Sequence, residues 1–336
     1  MTSPDDLRFM RHALALAERG LGRTWPNPSV GCVIVKDGGV VGRGVTQPGG
    51  RPHAEAMALA QAGAAAAGAT IYVTLEPCAH TSPRGPACSD LLVAAQPARV
   101  VMAWQDPDPR TAGDGVLRLQ QAGIETTVGV LVDQAREQNL GFVLRLSQSR
   151  PMVTLKLALS LDGRVAFVDP AGTAHSRWIT GPEARAHAHL ERARHDAILI
   201  GRGTFAADDP SLDVRLPGLE AQSPLPIVWA RSGVALKPGW RQADHDTALG
   251  LLTWAADEGI TRLMVEGGPQ VAATLLADDL VDRLLLYRAP VVLGAGPALA
   301  SDIGLDSLSN AHGRWQHRDS RVLGVDRLDV YMRHRV

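Results

Sequence analysis

Three cysteines in a chain of 336 residues are too few for a disulfide framework. They fit a reducing cytoplasm, where grouped cysteines more often hold a metal. No run of about eighteen apolar residues occurs, so no segment reads as a membrane-spanning helix. The opening stretch, "MTSPDDLRFMRHALALAERG", lacks the basic flank and long apolar core of a secretory signal. It reads instead as an amphipathic helix capped by Ser3 and Asp5. Excess charge is missing too. With a formal net charge of -1 there is no basic surplus to neutralise phosphates, which argues against a nucleic-acid partner.

What is present is a globular composition, 45% hydrophobic and 21% charged. The length exceeds one ordinary core and implies two domains. Up to about residue 145, strand and helix patterns alternate. "SVGCVIV" and "VVGRGV" flank the hairpin turn Lys36 to Gly39, and a helix runs from about His53 to Ala66. Then come "TIYVTL", a helix from about Pro86, "RVVMAW", the helix "DGVLRLQQAG", "ETTVGV" and a helix from about Asp133. That order implies an α/β sheet with helices on both faces. The polar stretch Leu146 to Pro151, "LSQSRP", reads as the linker, giving domains 1–147 and 151–336. A second α/β alternation follows, with strands "MVTLKLALS", "DAILIG", "PIVWA", "RLMVEGG" and "DRLLLYRAPVVLG". Its helices are expected at Pro182 to Arg194, His245 to Glu258 and Pro269 to Ala277. The alternating C-terminal stretch from Arg314 reads as closing strands.

The chemistry concentrates in two short motifs, "HAE" at His53 to Glu55 and "EPC" at Glu76 to Cys78. Catalytic zinc takes three protein ligands and keeps one corner for water. His53, Cys78 and Cys88 offer one nitrogen and two sulfurs, and each cysteine is expected near a helix start, where backbone N–H groups favour the thiolate. Glu55 is then left to shuttle protons. An H-x-E followed by P-C-x-x-C marks zinc nucleobase deaminases, with the glutamate as general acid and base. Here nine residues, not two, separate the cysteines. A lone H-x-E usually only starts a helix; with "EPC" and a second cysteine the metal reading prevails. A structural zinc site would need a fourth ligand: Cys32 reads as core, and His80 sits only two residues from Cys78.

"TWPNPSVGCVIVKDG", "HAEAMAL", "TLEPCAHTSPRGPACSDLL" and "QDPDPRTAGDGVLRLQQAGI" together resemble the deaminase half of the bifunctional riboflavin-biosynthesis deaminase/reductases. The resemblance implies a cytidine-deaminase-like three-layer α/β/α domain. It implies hydrolytic removal of an amino group from a diaminopyrimidinone carrying a ribosylamino 5-phosphate. By the family motif, His53, Cys78 and Cys88 bind Zn2+, Glu55 is the catalytic proton carrier, and Asn27 contacts the pyrimidine. The family motif "PCSHxGxTPPC" has one residue fewer between its cysteines than this chain.

In the second half, "DAILIGRGTFAADDPSL" places Gly201-x-Gly203-x-x-Ala206 between a strand and a short helix, the form of a dinucleotide fingerprint. The acidic residue expected about twenty positions on falls in a loop, at Glu220, so a standard Rossmann domain is not supported. "MVEGGPQVAATLL" is a second strand, glycine pair and helix, either a phosphate-holding turn or a plain one. "KLALSLDGRVA", "SRWITGPEAR", "GRGTFAADDPSLDVR" and "VEGGP" resemble the reductase half of the same family, similar in fold to dihydrofolate reductase and dependent on NADPH. The resemblance implies cofactor contacts from Leu159, Trp178, Thr204, Asp208 and the run Gly268, Pro269, Gln270, Val271, Ala272, Ala273 and Thr274. Substrate contacts are implied for Lys156, Ser176, Arg192, Leu212, Arg215 and Glu266. The two arginines suit a phosphate, whose oxygens match a guanidinium fork. Ala230 and Arg231 stand where the family often has Asp-Ser, and Gly233 to Arg262 has room for one strand fewer.

His187, His189 and His195 lack the spacing of a helical metal pair and read as a solvated face. The expectation is a two-domain cytoplasmic enzyme acting on small pyrimidine ribosyl phosphates. Family members associate as homo-oligomers, dimers or tetramers. The rival readings are a deaminase whose second domain serves only binding or assembly, a deaminase of tRNA or nucleosides, and a zinc-stabilised binding module.

Overall fold

The computed structural model describes residues 2–80, 84–109, 111–169, 171, 174–175, 178–231 and 233–334. The chain forms two compact units, Met1–Gln148 and Ser149–Val336. No helix among the described residues is long and apolar enough to cross a membrane.

The first unit runs α1 (Pro4–Glu18), β1 (Gly31–Lys36), β2 (Gly39–Val45), α2 (Ala54–Ala62), β3 (Thr70–Val73), α3 (Cys88–Ala95), β4 (Arg99–Met102), α4 (Asp114–Gln121), β5 (Glu125–Val128), α5 (Val132–Gln138) and α6 (Leu140–Gln148). Its sheet has the order β2-β1-β3-β4-β5. β1 is antiparallel to β2 and β3, whereas β3, β4 and β5 are parallel. The two-residue period of the strands sorts their side chains into two cores. Cys32, Ile34, Ile71, Val73, Val100 and Met102 pack with Ala54 and Ala58 of α2, Leu92 of α3 and Leu119 of α4. Val33, Val35, Tyr72 and Val101 face the other way, onto Phe9, Met10, Ala13 and Leu14 of α1 and Ala135 of α5. This is a three-layer α/β/α unit. The β1–β2 turn has Asp37 and Gly38 both at positive φ, 49° and 74°, as a tight hairpin requires.

Two sequence expectations need correction here. Helix α1 is capped by Ser3 with Asp6, not Asp5: each side chain accepts from the other residue's backbone N–H at 3.0 Å. The third helical position is where such a box closes. The linker is only half a linker. Leu146 to Gln148 complete α6, and Arg150 is buried in the second unit, with its guanidinium bidentate on Asp282 at 2.7 and 2.9 Å.

The second unit runs β6 (Met152–Leu159), β7 (Phe167–Val168), β8 (Ala174–His175), α7 (Pro182–Ala193), β9 (Ala197–Gly201), α8 (Arg202–Asp208), β10 (Leu225–Trp229), β11 (Arg241–Ala243), α9 (Ala248–Asp257), β12 (Arg262–Val265), α10 (Pro269–Ala277), β13 (Arg283–Arg288), β14 (Trp315–Leu323) and β15 (Asp326–Arg333). Eight strands form one sheet, β11-β10-β9-β12-β6-β13-β15-β14, and β7 pairs with β8. β11 through β13 are parallel in that order, and β15 and β14 close the sheet antiparallel. Buried on both faces, β9 is an uninterrupted apolar run and β12 is apolar after Arg262, as parallel strands between helices should be. The expected strand "DRLLLYRAPVVLG" ends at Arg288, because Pro290 has no N–H for the ladder. The shortened stretch after Gly233 does hold a strand, the three-residue edge β11.

The histidines on and just after α7 are not a solvated face. His195 is fully buried; its Nδ1 donates to the Glu191 carbonyl at 2.6 Å, so Nε2 accepts from the Thr154 hydroxyl at 2.8 Å. His187 is half-buried, 2.8 Å from the Tyr287 hydroxyl, and His189 lies 3.1 Å from the Asp213 carbonyl.

Candidate functional site

In the first unit, α2 lies on β2 at a distance only glycine permits. A Cβ on Gly44 would sit 1.9 Å from the Ala54 carbonyl oxygen, and one on Gly42 would sit 2.4 Å from that of Ala58. This fixes the start of α2. His53 is its N-cap residue but makes no side-chain capping bond, so the imidazole is left to turn toward the sulfurs. Cys88 opens α3. Cys78 stands in the loop after β3, a correction to the expectation that each cysteine lies near a helix start. The first turn of α3 serves it all the same: the Cys88 N–H points at Cys78 Sγ at 3.4 Å, and Ser89 donates to the Cys78 carbonyl through N and Oγ, both at 3.1 Å.

The three ligand atoms converge. His53 Nδ1 is 3.2 Å from Cys88 Sγ and 3.6 Å from Cys78 Sγ, and all three lie within 4.8 Å of one another. A tetrahedron with bonds of about 2.0 Å to nitrogen and about 2.3 Å to sulfur separates N from S by about 3.5 Å. The donor set therefore fits zinc. No further histidine, cysteine or carboxylate joins this group among the described residues, and His80 points instead to the Thr111 hydroxyl at 3.2 Å. Three ligands are the number for a catalytic site, four for a structural one.

Electrostatics agree with the geometry. A hydrogen bond from Cys88 holds the Cys78 pKa down despite burial, and His53 assists. That hydrogen bond, with burial, pushes Cys88 up. Burial opposes charging of His53, but Cys78 and Glu55 outweigh it and raise its pKa. Glu55 is buried at 3% exposure, which raises its own pKa, and it accepts a hydrogen bond from Cys88. A carboxyl so placed holds a proton more readily than an exposed one. Asn27 lies against the neighbouring turn, donating through Nδ2 to the Gly50 carbonyl at 3.0 Å.

In the second unit the chain leaves β9 for β10 on one side, and leaves β12 past β6 for β13 on the other. The carboxyl ends of β9 and β12 are thus a topological switch point, where open α/β sheets bind ligands. The two glycine turns found in the sequence meet there. A Cβ on Gly201 would lie 2.8 Å from Val271 Cγ2, and one on Gly268 would lie 3.2 Å from Thr204 Oγ1. Gly268 is the N-cap of α10, whose first turn contains Pro269, Gln270 and Val271; Ala272, Ala273 and Thr274 continue it. This cradle of close backbone and open N–H groups suits a dinucleotide phosphate.

Around it, Leu159 is buried at the end of β6 and Asp208 ends α8. Trp178 is 63% exposed at φ 67°, with the Arg185 guanidinium 4.2 Å over its ring. Lys156, Arg192 and Glu266 do come together: Glu266 accepts from Arg192 Nε at 2.7 Å and NH2 at 3.1 Å, and from Lys156 at 3.4 Å. Those two cations hold the Glu266 carboxylate well below its usual pKa in spite of burial. Arg192 NH1 goes to the Asp213 carbonyl at 2.9 Å, so its fork is committed within the protein. Arg215, 58% exposed, is only loosely paired with Asp213 at 3.5 Å, and Leu212 is buried at φ 56°. Ser176 lies outside the described residues. Ala230 is buried just beyond β10, while exposed Arg231 lies 3.9 Å from Asp246.

A family model described as the cytidine and deoxycytidylate deaminase zinc-binding region matches residues 3–104, and one described as the RibD C-terminal domain matches residues 151–327. The riboflavin biosynthesis protein RibD of Escherichia coli is 40% identical, over 96% of this chain and 97% of its own length. That of Aquifex aeolicus is 38% identical, over 91% and 92%. The chain belongs to the RibD family. Among solved structures, RibD of Acinetobacter baumannii superposes with a TM-score of 0.88 at 35% identity, over 98% of this chain and 99% of that one. A Thermotoga maritima protein titled as a diaminohydroxyphosphoribosylaminopyrimidine deaminase/5-amino-6-(5-phosphoribosylamino)uracil reductase gives 0.86 at 30%, over the same shares. This RibD member is therefore an enzyme of riboflavin biosynthesis with a zinc-binding deaminase domain and a reductase domain. The RibD reductase domain is NADPH-dependent.

Proposed function

We propose that residues 1–147 deaminate 2,5-diamino-6-(5-phosphoribosylamino)pyrimidin-4-one by hydrolysis, and that residues 151–336 then reduce its ribosyl group to ribityl with NADPH. The observation that carries the reading is the convergence of His53, Cys78 and Cys88 beside buried Glu55. His53, Cys78 and Cys88 would hold the zinc, which when bound would supply a nucleophile at neutral pH by lowering the pKa of water from roughly 15.7 to about 7. Glu55 takes a proton at its carboxylate, returns it to the ring nitrogen as the ring carbon is attacked, and then helps ammonia leave. Asn27 orients the pyrimidine.

In the second unit, bound NADPH would supply the hydride for opening the ribosyl ring at C1. Leu159, Trp178, Thr204, Asp208 and the turn Gly268 to Thr274 would hold the cofactor. Lys156, Ser176, Arg192, Leu212, Arg215 and Glu266 hold the substrate. With the Arg192 fork committed to Glu266 and Asp213, Arg215 is the arginine open to the substrate phosphate. The setting is the cytoplasm, and the assembly a homo-oligomer.

The test is metal analysis with two assays on the full chain. One zinc per chain, ammonia from the diaminopyrimidinone phosphate and NADPH oxidation by its deaminated product support the whole reading. Ammonia without NADPH oxidation would leave the second unit a binding or assembly domain.

A further inference from the structure

Between the metal ligands and α4 lies a carboxylate that the deamination chemistry does not use. Glu76 is 2% exposed and directly precedes Pro77 and Cys78. It donates its own N–H to the Trp104 carbonyl at 2.9 Å. Its carboxylate points the other way and accepts three backbone N–H groups: Asp106 at 3.1 Å and Gly113 at 3.0 Å on Oε2, Val116 at 3.1 Å on Oε1. Gly113 is the N-cap of α4 and Val116 lies in its first turn, so Glu76 is the acceptor for orphan donors of that helix. The fit is tight. A Cβ on Gly115 would fall 2.1 Å from the Pro77 carbonyl oxygen and 3.1 Å from the Glu76 side chain.

The turn gripped in this way borders the metal ligands from its other end as well. Buried Thr111 meets His80 Nδ1 at 3.2 Å, two residues beyond Cys78. Asp106 is nearly buried and accepts from the Asp108 N–H at 2.9 Å. Burial, with Asp108, Glu76 and Cys78 close by, pushes its carboxyl up to about 6. The metal ligands themselves are tied independently, through Ser89, the Cys88 N–H and the start of α2.

We propose that Glu76 is a positioning residue of the deaminase site, which seats the turn carrying Asp106, Thr111 and Gly113 beside the Cys78 ligand loop as a wall for the substrate. The inference rests on the deaminase reading above. Three converging N–H groups need an anion or several carbonyls, and glutamine offers one carbonyl oxygen while turning an NH2 toward further N–H donors. Glu76→Gln should therefore loosen the wall and leave the metal in place.

The experiment uses the zinc-loaded full chain and measures zinc content, thermal unfolding and the steady-state constants for ammonia release. The same variant loaded with Co2+ reports the geometry of the two sulfurs and imidazole through its visible spectrum. For Glu76→Gln the expected result is one zinc per chain, an unchanged cobalt spectrum, and KM raised about tenfold with kcat within about threefold. Gly115→Ala keeps the carboxylate but crowds both the Pro77 carbonyl and the Glu76 side chain, so it pushes α4 away and should raise KM in the same way. A lower melting temperature with both constants unchanged per zinc-loaded chain would make Glu76 merely structural and overturn the proposal, as would loss of zinc. A wild-type enzyme that binds zinc and releases no ammonia would remove the deaminase reading, and this inference with it.

Discussion

Glu55→Gln changes one oxygen for an NH2 at nearly constant volume, so it separates proton transfer from metal binding. The expected outcome is full zinc content with ammonia release reduced about 10²- to 10⁴-fold, the usual range for a general acid–base group, and NADPH oxidation unchanged; a stopped ammonia assay beside metal analysis checks it. His195 gives a residue-scale prediction of a different kind. Burial lowers its pKa from 6.5 to about 3, so the folded unit holds it neutral where the unfolded chain would protonate it. The unfolded state then binds the extra proton between those values, and stability must fall as pH drops from about 6.5 toward about 3. Glu191, which Arg283 holds low against the effect of burial, acts in the same direction at the acid end. Urea unfolding followed at pH 7 and pH 4.5 should show a loss of about 2–3 kcal/mol from His195, and His195→Gln should flatten it. Neither the burial of His195 nor the grip of Glu76 was legible in the sequence. The side-chain partner of His195 is Thr154, 41 positions away, and those of Glu76 are amides 30 to 40 positions away. By contrast "HAE" and "EPC" could be read directly, because metal chemistry restricts residue type as well as spacing.

At the scale of elements, what could be read was what period and breakers encode. The apolar runs of β9 and β12, the Asp37–Gly38 hairpin and α10 from Pro269 to Ala277 all stand where the pattern put them. Polarity misled where a charge was paired out of sight. "LSQSRP" looks like a linker, yet Arg150 is 3% exposed and Asp282 accepts both arms of its guanidinium and the Val153 N–H at 2.8 Å. No local signal marks an ion pair spanning 132 positions. Because one buried charge would be left without its partner, Arg150→Ala should destabilise the second unit by about 3–5 kcal/mol. Denaturant unfolding of the variant, followed by circular dichroism, measures it. A change under about 1 kcal/mol would show that water reaches Asp282 once the guanidinium is gone.

For the molecule as a whole, the order β11-β10-β9-β12-β6-β13 matters more than any single motif in the second half. The fingerprint at Gly201 was weak evidence because its value depends on which strand lies beside it. Only the insertion of β12 between β9 and β6 brings Gly268 against Thr204 and turns two ordinary glycine turns into one cradle. Each unit has its own core and its own candidate site, and the zinc ligands all come from the first. That division has a direct consequence. Removing the metal from the full chain with a strong chelator should abolish ammonia release, since no nucleophile is then available at neutral pH. NADPH oxidation by the deaminated substrate should continue at a rate within about twofold of the untreated enzyme. Adding back one equivalent of Zn2+ should restore deamination, because His53, Cys78 and Cys88 are held by α2 and α3 and not by the ion alone. Loss of both activities on chelation, with both returning on zinc addition, would mean that the metal also supports the second unit.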